Sequence, residues 1–266
     1  MDFFKITATT PRTRKYWTAS FVIILQGTKE LALEKFAYKY KGGNTIITPA
    51  GLPVLSRVVV ENKSKPFLAI RIALDPLELH EVALKIPPTP FSNELKSHGI
   101  FSGLPEDQML NALLRLVELS EEDAPVLGPL IIRELYYYLL KSHNGPAIRQ
   151  FVLTGSKLQL IAEAVKRLRD DLTIELDVEK FARDSNMSRT SFFAAFKKVT
   201  AMSPIQFQKK LRLLEARHLL SSEGETAENI AFAVGYKSAS QFNREYSRMF
   251  GLPPRKDMKA EEHSKG

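Results

Sequence analysis

The last third of the chain contains the same pattern twice, and this repeat constrains the fold more than any other feature. In each copy a short amphipathic helix is predicted to end at a residue that tolerates a left-handed backbone, and a serine then starts a second helix. This arrangement predicts an all-α domain with two helix-turn-helix motifs. The matching positions are Phe181, Ala182, Asn186, Met187, Ser188, Phe192 and Phe196 in the first copy and Ile230, Ala231, Gly235, Tyr236, Ser238, Phe242 and Tyr246 in the second.

A helix-turn-helix motif presents its second helix to the major groove of DNA, so two motifs in one chain can contact two successive grooves. A longer helix is predicted to start at Ser203 and Pro204 and to join the two motifs. With roughly 16 residues this linker helix would span about 24 Å. A rigid spacer of that length can hold the two second helices near the roughly 34 Å that separates successive grooves on one face of DNA.

The basic charge of the chain lies over the same region. Residues 180–259 contain 15 basic and 7 acidic residues, an excess of 8, and the rest of the chain contains 23 of each. Localised positive charge over a repeated helical unit favours binding to DNA phosphates. Taken alone, the excess of basic residues is also compatible with a basic face that is only solvated.

The N-terminal part has the composition of a small antiparallel β-barrel. Short runs rich in β-branched and aromatic residues alternate with glycine and proline turns, which is typical of such folds. We therefore predict strands over about residues 18–74 within a sensing or dimerisation domain at 1–150. The runs are 21–25, 31–40, 45–48, 54–60 and 67–74.

Helices are predicted to follow the strands. Asp75 and Pro76 form an N-cap and first-turn pair, and two apolar stripes over about residues 106–143 predict a helical hairpin joined by a turn from Pro125 to Pro129. Such a hairpin either packs on its own sheet or pairs with the same hairpin of a second copy. Helix formation is predicted to stop near Asn144, with an interdomain link up to Ser156 and the DNA-binding domain at 157–260.

Composition excludes several classes of protein. The 266 residues are enough for two domains, and they include no cysteine, so disulfides, thiolate nucleophiles and Cys-ligated zinc are excluded. No apolar run reaches the roughly 20 residues that cross a bilayer, and the start of the sequence does not have the pattern of a signal peptide. We expect a cytoplasmic protein without a membrane partner.

An enzyme is the least favoured class. A barrel that binds a metal needs clustered histidines, or histidines with a carboxylate. The five histidines lie in different predicted elements, and none lies on a candidate barrel strand. No Gly-rich phosphate loop or nucleophile motif is present. We predict no catalytic residue, no cofactor and no metal site. The histidines are His80, His98, His143, His218 and His263.

Two segments of the C-terminal part resemble a known family. "NMSRTSFFAAFKKVTAMSPIQFQKKLRLLEARHLLSS" and "IAFAVGYKSASQFNREYSRMFGLPPRKD" are similar to the DNA-binding domain of the AraC/XylS family of bacterial transcriptional regulators. The N-terminal segment "GLPVLSRVVVENKSKPFLAIRIALDP" resembles a strand-turn-strand signature of one subgroup of that family with a cupin-like domain. The resemblance implies an α+β chain with an N-terminal cupin-like barrel and helical hairpin and a C-terminal tandem helix-turn-helix domain.

The resemblance also implies which residues face DNA. Base contacts map to outward positions of the two recognition helices, which are the second helices of the two motifs. Arg244 can pair bidentately with guanine and Asn243 with adenine, whereas Phe193 and Ala194 can contact only thymine methyl groups or groove shape. The first helix is therefore expected to discriminate weakly between bases. The mapped positions are Thr190, Phe193 and Ala194 in the first helix and Ala239, Ser240, Asn243 and Arg244 in the second.

Another set of basic residues suits phosphate better than bases, because charge alone carries no sequence information. A solvated surface charge is the alternative at each position. These residues are Arg189, Lys197, Lys198, Lys209, Lys237 and Arg248.

The sequence thus predicts a sequence-specific, dimeric regulator of transcription that binds double-stranded DNA and senses a small molecule through its N-terminal domain. The alternatives are a DNA-binding regulator whose N-terminal domain only dimerises and a barrel enzyme with a DNA-binding appendage. RNA polymerase is a further candidate partner. Effector-binding residues cannot be identified from the sequence, because side chains that line a barrel and ordinary core residues alternate with the same period.

Overall fold

A computed structural model describes residues 1–87, 98–153, 155–220, 225–254 and 256–257. Strands dominate the N-terminal half and helices the rest. The strands are β1 (Asp2–Ile6), β2 (Thr13–Trp17), β3 (Ser20–Gln26), β4 (Thr28–Leu33), β5 (Phe36–Lys41), β6 (Thr45–Thr48), β7 (Leu52–Val59), β8 (Phe67–Ala73) and β9 (Phe101–Gly103). The helices are α1 (Pro76–Lys85), α2 (Asp107–Val117), α3 (Ala124–Lys141), α4 (Gly145–Val152), α5 (Lys157–Asp170), α6 (Val178–Asp184), α7 (Arg189–Thr200), α8 (Pro204–Leu220), α9 (Ala227–Ala233) and α10 (Ala239–Phe250).

The strands form two antiparallel sheets that face each other. We name the sheet with strand order β1-β8-β3-β6-β9 the first sheet, and the sheet with order β2-β7-β4-β5 the second sheet. The chain crosses between them before β2, where the Thr10 N–H donates to the Val58 carbonyl at 3.1 Å. The predicted antiparallel β domain is confirmed. The barrel is not closed, because each strand pairs only within its own sheet.

Several strands differ from the sequence prediction. β1 and β2 precede residue 18, and the predicted run 31–40 is two strands of one hairpin. The hairpin turns at Glu34, whose φ of 53° lies in the left-handed region. Composition alone did not mark this turn, because it contains neither glycine nor proline and the run is apolar on both sides of it.

The helical hairpin is present, but its turn lies earlier than predicted. α2 and α3 are joined at residues 118–123, where Ser120 and Asp123 exchange side-chain hydrogen bonds. The predicted turn from Pro125 to Pro129 was wrong, because both prolines lie inside α3. Pro125 occupies the first turn, where its missing N–H is not needed. Pro129 lies in the body of the helix, where it removes one backbone hydrogen bond, and Ile131 two residues later is buried.

The predicted interdomain link is also largely helical, since α4 occupies Gly145–Val152. Arg149 on α4 is buried, and its guanidinium donates to the carbonyl oxygens of Ala83, Ile86 and Pro87 at 2.9–3.0 Å. These bonds satisfy carbonyl groups at the C-terminal end of α1. The link therefore packs as part of the N-terminal core.

No helix among the described residues is long and apolar enough to cross a membrane.

One apolar core joins the sheets to the first helix-turn-helix motif. It runs from side chains such as Phe21 and Ile46, through α2 to α4, to Ile161 of α5 and to Phe192 and Phe207. The second motif has a separate core around Phe242 and Tyr246. The first motif is therefore packed against the N-terminal domain, whereas the second is joined to it through α8.

The two motifs share the same turn, as the repeat predicts. The Met187 N–H donates to the Ala182 carbonyl and the Tyr236 N–H to the Ala231 carbonyl, both at 2.9 Å. In each turn the preceding residue has positive φ, 50° at Asn186 and 89° at Gly235. In each turn this residue also donates its N–H three residues back, Asn186 to the Arg183 carbonyl and Gly235 to the Phe232 carbonyl, both at 2.9 Å. The two bonds in each turn form the Schellman pattern, which satisfies the last carbonyl groups of the first helix.

The turn of the second motif predicts a difference between two substitutions at equivalent positions. A Cβ atom added at Gly235 would lie 2.8 Å from the Leu172 carbonyl oxygen, at a φ of +89°. Gly235→Ala should therefore lower the free energy of unfolding by about 2 kcal/mol, of which left-handed strain supplies about 1–2 kcal/mol. The matched Asn186→Gly change should alter it by less than about 1 kcal/mol. Urea denaturation of both full-length variants tests this, and equal losses would contradict it.

Candidate DNA-binding surface and effector cavity

The second recognition helix, α10, carries exposed polar side chains at the predicted positions. Ser240, Asn243 and Arg244 are exposed and Ala239 is half-buried. The opposite face of α10 is held by the fully buried rings of Phe242 and Tyr246. Ser238 caps the helix by accepting a hydrogen bond from the Gln241 N–H at 3.4 Å. The structure therefore brings the polar residues of this helix onto one solvent-facing surface.

The first recognition helix, α7, presents a less polar surface. Thr190 and Ala194 are exposed, and Phe193 is half-buried with the Arg189 guanidinium 5.9 Å from its ring centre. Phe192 and Phe196 anchor the other face in the core. The helix thus offers Thr190 as a hydrogen-bonding group and an apolar surface beside it.

The basic residues assigned to phosphate fall into groups with different surroundings. Lys197, Lys198 and Arg248 are exposed in the last turns of α7 and α10. Arg189 pairs with Glu179 at 3.5 Å and Lys237 with Glu175 at 3.3 Å, and all four side chains are more than half exposed. Such exposed pairs contribute little energy, so these two cations are able to exchange a carboxylate for a phosphate.

Lys209 differs, because it belongs to a network that fixes α10 against α8. Its ammonium group donates to Glu245 at 2.7 Å, and the Tyr236 hydroxyl donates to the same carboxylate at 2.8 Å. Burial alone would raise the pKa of Glu245, but hydrogen bonds from Lys209, Gln241 and Tyr236 outweigh it and lower that pKa. Glu245 is thus a carboxylate at neutral pH and partly neutralises Lys209.

The end of the described chain is fixed to the same helix. Asp257 is buried, and it accepts a hydrogen bond from the Tyr246 hydroxyl at 2.8 Å and pairs with Arg217 at 2.9 Å. The Arg217 guanidinium also lies 4.8 Å from the ring centre of Phe250. These contacts connect α8, α10 and the segment after it, so the orientation of the second recognition helix is set by buried polar contacts as well as by its apolar core.

A cavity of about 510 Å³ lies between the two sheets. Its walls are mostly apolar, with Ile24, Phe67 and Trp17 among them, and hydroxyl groups from Thr13 and Ser56 also line it. A volume of this size suits a small organic ligand. The sequence alone does not reveal the residues of this cavity, because strands β1 and β2, which lie outside the predicted strands, supply much of its wall.

The charged residues of the cavity wall are all cationic. They are Lys15, Lys29 and Arg71, and the wall contains no carboxylate. Arg71 is paired with Asp2 at 2.6 Å. Among the described residues neither lysine has an ion-pair partner, although the Lys29 ammonium lies 5.5 Å from the ring centre of Trp17. Burial, together with the charge of Lys15, lowers the pKa of Lys29 to about 8.

One residue of the cavity wall also contacts the C-terminal half. Tyr16 lines the cavity, and the Arg169 guanidinium of α5 lies 5.4 Å from its ring centre. Burial raises the pKa of Tyr16 to about 12. Lys210 of α8 pairs with Glu34 in the β4–β5 turn, and only 15% of the Lys210 side chain is exposed. Two contacts thus connect the second sheet with α5 and α8.

The described histidines do not gather at one place. His80 contacts the Val152 carbonyl at 2.7 Å, and His98 stacks on Phe36 with ring centres 3.8 Å apart. Within the described ranges no group of three or more histidine, cysteine, aspartate and glutamate side chains could hold a metal ion. His263 lies outside the described residues.

Comparison with known proteins agrees with these features. The family model for the AraC-type transcriptional regulator N-terminus matches residues 1–147, and a helix-turn-helix domain model matches residues 181–260. The MmsAB operon regulatory protein of Pseudomonas aeruginosa is 27% identical over 129 residues, which cover 42% of each chain. The regulator ExsA of the same species is 31% identical over 140 residues, covering 51% of this chain and 49% of ExsA. The chain thus spans less than half the length of these relatives.

Crystal structures of ToxT from Vibrio cholerae have a similar fold. An apo variant has a TM-score of 0.61 at 10% identity and covers 97% of this chain and 95% of ToxT. ToxT bound to an unsaturated fatty acid has a TM-score of 0.59 at 10% identity, with 96% and 92% covered. At this identity the likeness shows the fold alone. Because the N-terminal family model alone matches more than half of the sequence, the chain belongs to the AraC-type transcriptional regulators.

Proposed function

We propose that this protein is a sequence-specific DNA-binding regulator of transcription. The proposal rests on the two recognition helices. Each follows a turn with the same hydrogen bonds, and each exposes its unburied face to solvent. The net positive charge of the surrounding segment supports the same function. We propose the division into a sensing and dimerisation domain at 1–150 and a DNA-binding domain at 157–260.

The second recognition helix is proposed to supply most of the base recognition. Arg244 and Asn243 are exposed on one face of α10, where bidentate contacts to guanine and adenine are geometrically accessible. Ser240 and Ala239 precede them on the same helix and complete the surface that enters the groove. α7 contributes Thr190 and the apolar surface of Phe193 and Ala194, which suits thymine methyl groups and groove shape.

Phosphate contacts are proposed for the exposed basic residues at the ends of these helices. Lys197, Lys198 and Arg248 flank the recognition surfaces, and the ion pairs of Arg189 and Lys237 are exposed. Two roles are proposed for Lys209. Its ion pair with Glu245 positions α10, and the positive charge that this pair leaves attracts phosphate more weakly than an unpaired lysine would. Its removal would therefore affect the orientation of α10 as well as electrostatic attraction.

Binding to DNA is tested first with the upstream region of the protein's own gene and a random fragment of equal length. The upstream fragment should bind more tightly at every salt concentration, and log affinity should fall linearly with log salt as counterions are released. Fluorescence anisotropy of labelled fragments measures both quantities. A complete lack of DNA binding at low salt would contradict the proposed function.

The assignment of the second helix is tested by comparing two arginines on α10. Arg244→Ala should weaken specific binding by about 1–3 kcal/mol and relax the base preference at one position. Arg248→Ala should weaken binding to all sequences similarly and lower the salt slope by about one. Binding-site selection from a random DNA pool, followed by salt titration, measures both effects. An unchanged base preference in Arg244→Ala would show that another residue is responsible.

We propose that a small-molecule effector binds in the cavity between the sheets and alters how the DNA-binding domain is presented. The cavity supports this because Tyr16 forms part of its wall and also contacts Arg169 of α5. A ligand can shift the balance between two arrangements only if it binds them with different affinity. ToxT, which shares the fold, has been crystallised with an unsaturated fatty acid. Apolar carboxylic acids are therefore the first compounds to examine.

A homodimer is the proposed assembly, and α3 is the proposed interface. Its outer face carries exposed apolar side chains at helical spacing, including Leu130, which is 61% exposed, and Tyr137, which is 44% exposed. Val126 and Leu127 of the same helix are also exposed. A second copy of the same face would bury these side chains from water. If no effector binds, dimerisation alone remains the role of the N-terminal domain.

The dimer is tested by placing a charge at the centre of that face. Leu130→Glu should convert the dimer to a monomer, because a buried unpaired carboxylate costs several kcal/mol. The side chain is exposed in the single chain, so folding should be unaffected. Leu104→Glu, at another exposed leucine, is the control and should remain dimeric. Sedimentation velocity at several concentrations measures the assembly, and a monomeric parent protein would contradict the proposal.

The remaining proposals depend on DNA binding. No catalytic step is assigned, since ExsA and the MmsAB operon regulatory protein are regulators. A protein that regulates bacterial promoters works in the cytoplasm, where it can also contact RNA polymerase.

A further inference from the structure

We propose that the cavity between the sheets is an anion site, where Lys15 and Lys29 bind the anionic head group of a ligand whose apolar body fills the space between the sheets. The inference deepens the proposed function, because it rests on this cavity being the effector site. It assigns two binding residues and one class of ligand, an amphipathic organic anion.

The charge balance of the cavity wall is the first argument. Among the described residues, three cations and no carboxylate line a largely apolar space, and of the three only Arg71 has an acidic partner, Asp2. A partly buried ammonium group without a counter-ion is unfavourable, because it loses hydration and gains no ion pair. Lys29 bears this cost in the free protein, as its lowered pKa indicates. A bound anion would remove the cost, so the free energy of binding includes that gain.

The strand register places the two lysines on the two strands that flank β7, on the same face of the second sheet. Lys15 on β2 is opposite Val54 of β7, and Lys29 on β4 is opposite Val58 of the same strand. They therefore lie on either side of β7, separated by four residues along it, and both reach the cavity. Two ammonium groups that line one cavity, close enough for the charge of Lys15 to lower the pKa of Lys29, suit a single anionic head group such as a carboxylate. The ring of Trp17, which also lines the cavity, has its centre 5.5 Å from the Lys29 ammonium.

The remaining wall determines the chemistry of the ligand beyond its head group. Ile24, Val58 and Phe67 are buried and present hydrocarbon to the cavity. A fully polar anion such as inorganic phosphate would leave this hydrocarbon in contact with water. An anion with an apolar chain or ring system buries it, at roughly 25 cal/mol per Å² of apolar surface. The combination favours a carboxylate with an apolar body over a free inorganic anion or a sugar.

The experiment compares ligands that differ only in the head group. Hexanoic, octanoic, decanoic and dodecanoic acids, and the matching straight-chain alcohols, are titrated into the full-length protein below their aggregation limits. We expect at least one acid to bind about tenfold or more tightly than its alcohol, the difference expected for a charge-assisted contact. Isothermal titration calorimetry measures the affinity, and a thermal shift shows stabilisation of the folded state.

Two variants assign the head group to its site. Lys29→Met keeps the length of the side chain and removes the partly buried charge, so the protein should fold at least as stably as the parent. The affinity for the acid should fall to that for the alcohol, and the affinity for the alcohol should not change. Lys15→Met should give a smaller loss, because Lys15 is exposed. Lys39→Met, on the exposed side of β5 and outside the cavity wall, is the control and should bind like the parent.

The dependence on pH is a second measure of the same contact. Because the pKa of Lys29 is about 8, its ammonium form is lost as pH rises above that value, and acid affinity should then fall by up to tenfold per pH unit. Lys15, Tyr16 and Arg71 also line the cavity, and burial raises the pKa of Tyr16 to about 12, so it stays neutral in this range. The fall in affinity should be absent in Lys29→Met, and this separates the titration of Lys29 from that of its neighbours.

The outcomes separate the two proposals. Equal binding of acids and alcohols, unchanged in Lys29→Met, would overturn the anion site but leave the cavity as an effector site. Binding of neither series would overturn the anion site, and with it the effector cavity, while DNA binding would still stand on its own test. Acid binding that survives in both lysine variants would place the anion elsewhere and overturn the assignment.

Discussion

The continuous apolar core between the sheets and the first helix-turn-helix motif is the constraint on which the rest of the structure depends. It joins Phe21 of β3 to Phe192 of α7 through α2 to α5, so the N-terminal domain and the first motif pack as one unit. Burial of this surface sets the position of α7 relative to the cavity. The second motif has its own small core and, within the described residues, is joined to the first through α8 and the segment around Leu172. The two recognition helices therefore differ in how firmly each is tied to the N-terminal domain.

The C-terminal domain was largely predictable because local chemistry determines it. Each turn needs a residue with positive φ, each recognition helix needs a serine cap, and apolar positions recur at helical spacing; Asn186, Ser188 and Phe192 meet these needs within a few residues. Such signals survive in a single sequence, since the partners are neighbours along the chain. The predicted base-contacting residues remain proposals, because exposure is necessary for reading DNA but does not establish it.

The N-terminal domain was less predictable because its organisation depends on distant partners. β1 and β2 begin the chain with mixed polar and apolar residues, and only pairing with β8 and β7 makes them strands. The β4–β5 hairpin turns at Glu34 without glycine or proline. The sequence alone does not single out Lys15 and Lys29 as cavity residues for the same reason. The signal that could have identified them is a lysine at the inward position of an alternating strand, and it becomes visible only once the register is known.

These differences favour a division of labour between the two motifs. In the proposed mechanism a ligand acts on α5 through Tyr16, which lines the cavity and contacts Arg169, while the Glu34–Lys210 pair ties α8 to the second sheet. The first motif, which shares its core with the N-terminal domain, would then move with that domain, and the second would stay on DNA through the contact proposed for Arg244. Weak base discrimination by α7 is then compatible with regulation, since the first motif could move without losing many base contacts. Allosteric couplings are typically about 1–3 kcal/mol. The loss or gain of a few phosphate contacts by α7 is of that size, so the ligand need not unfold or release either domain to change DNA affinity.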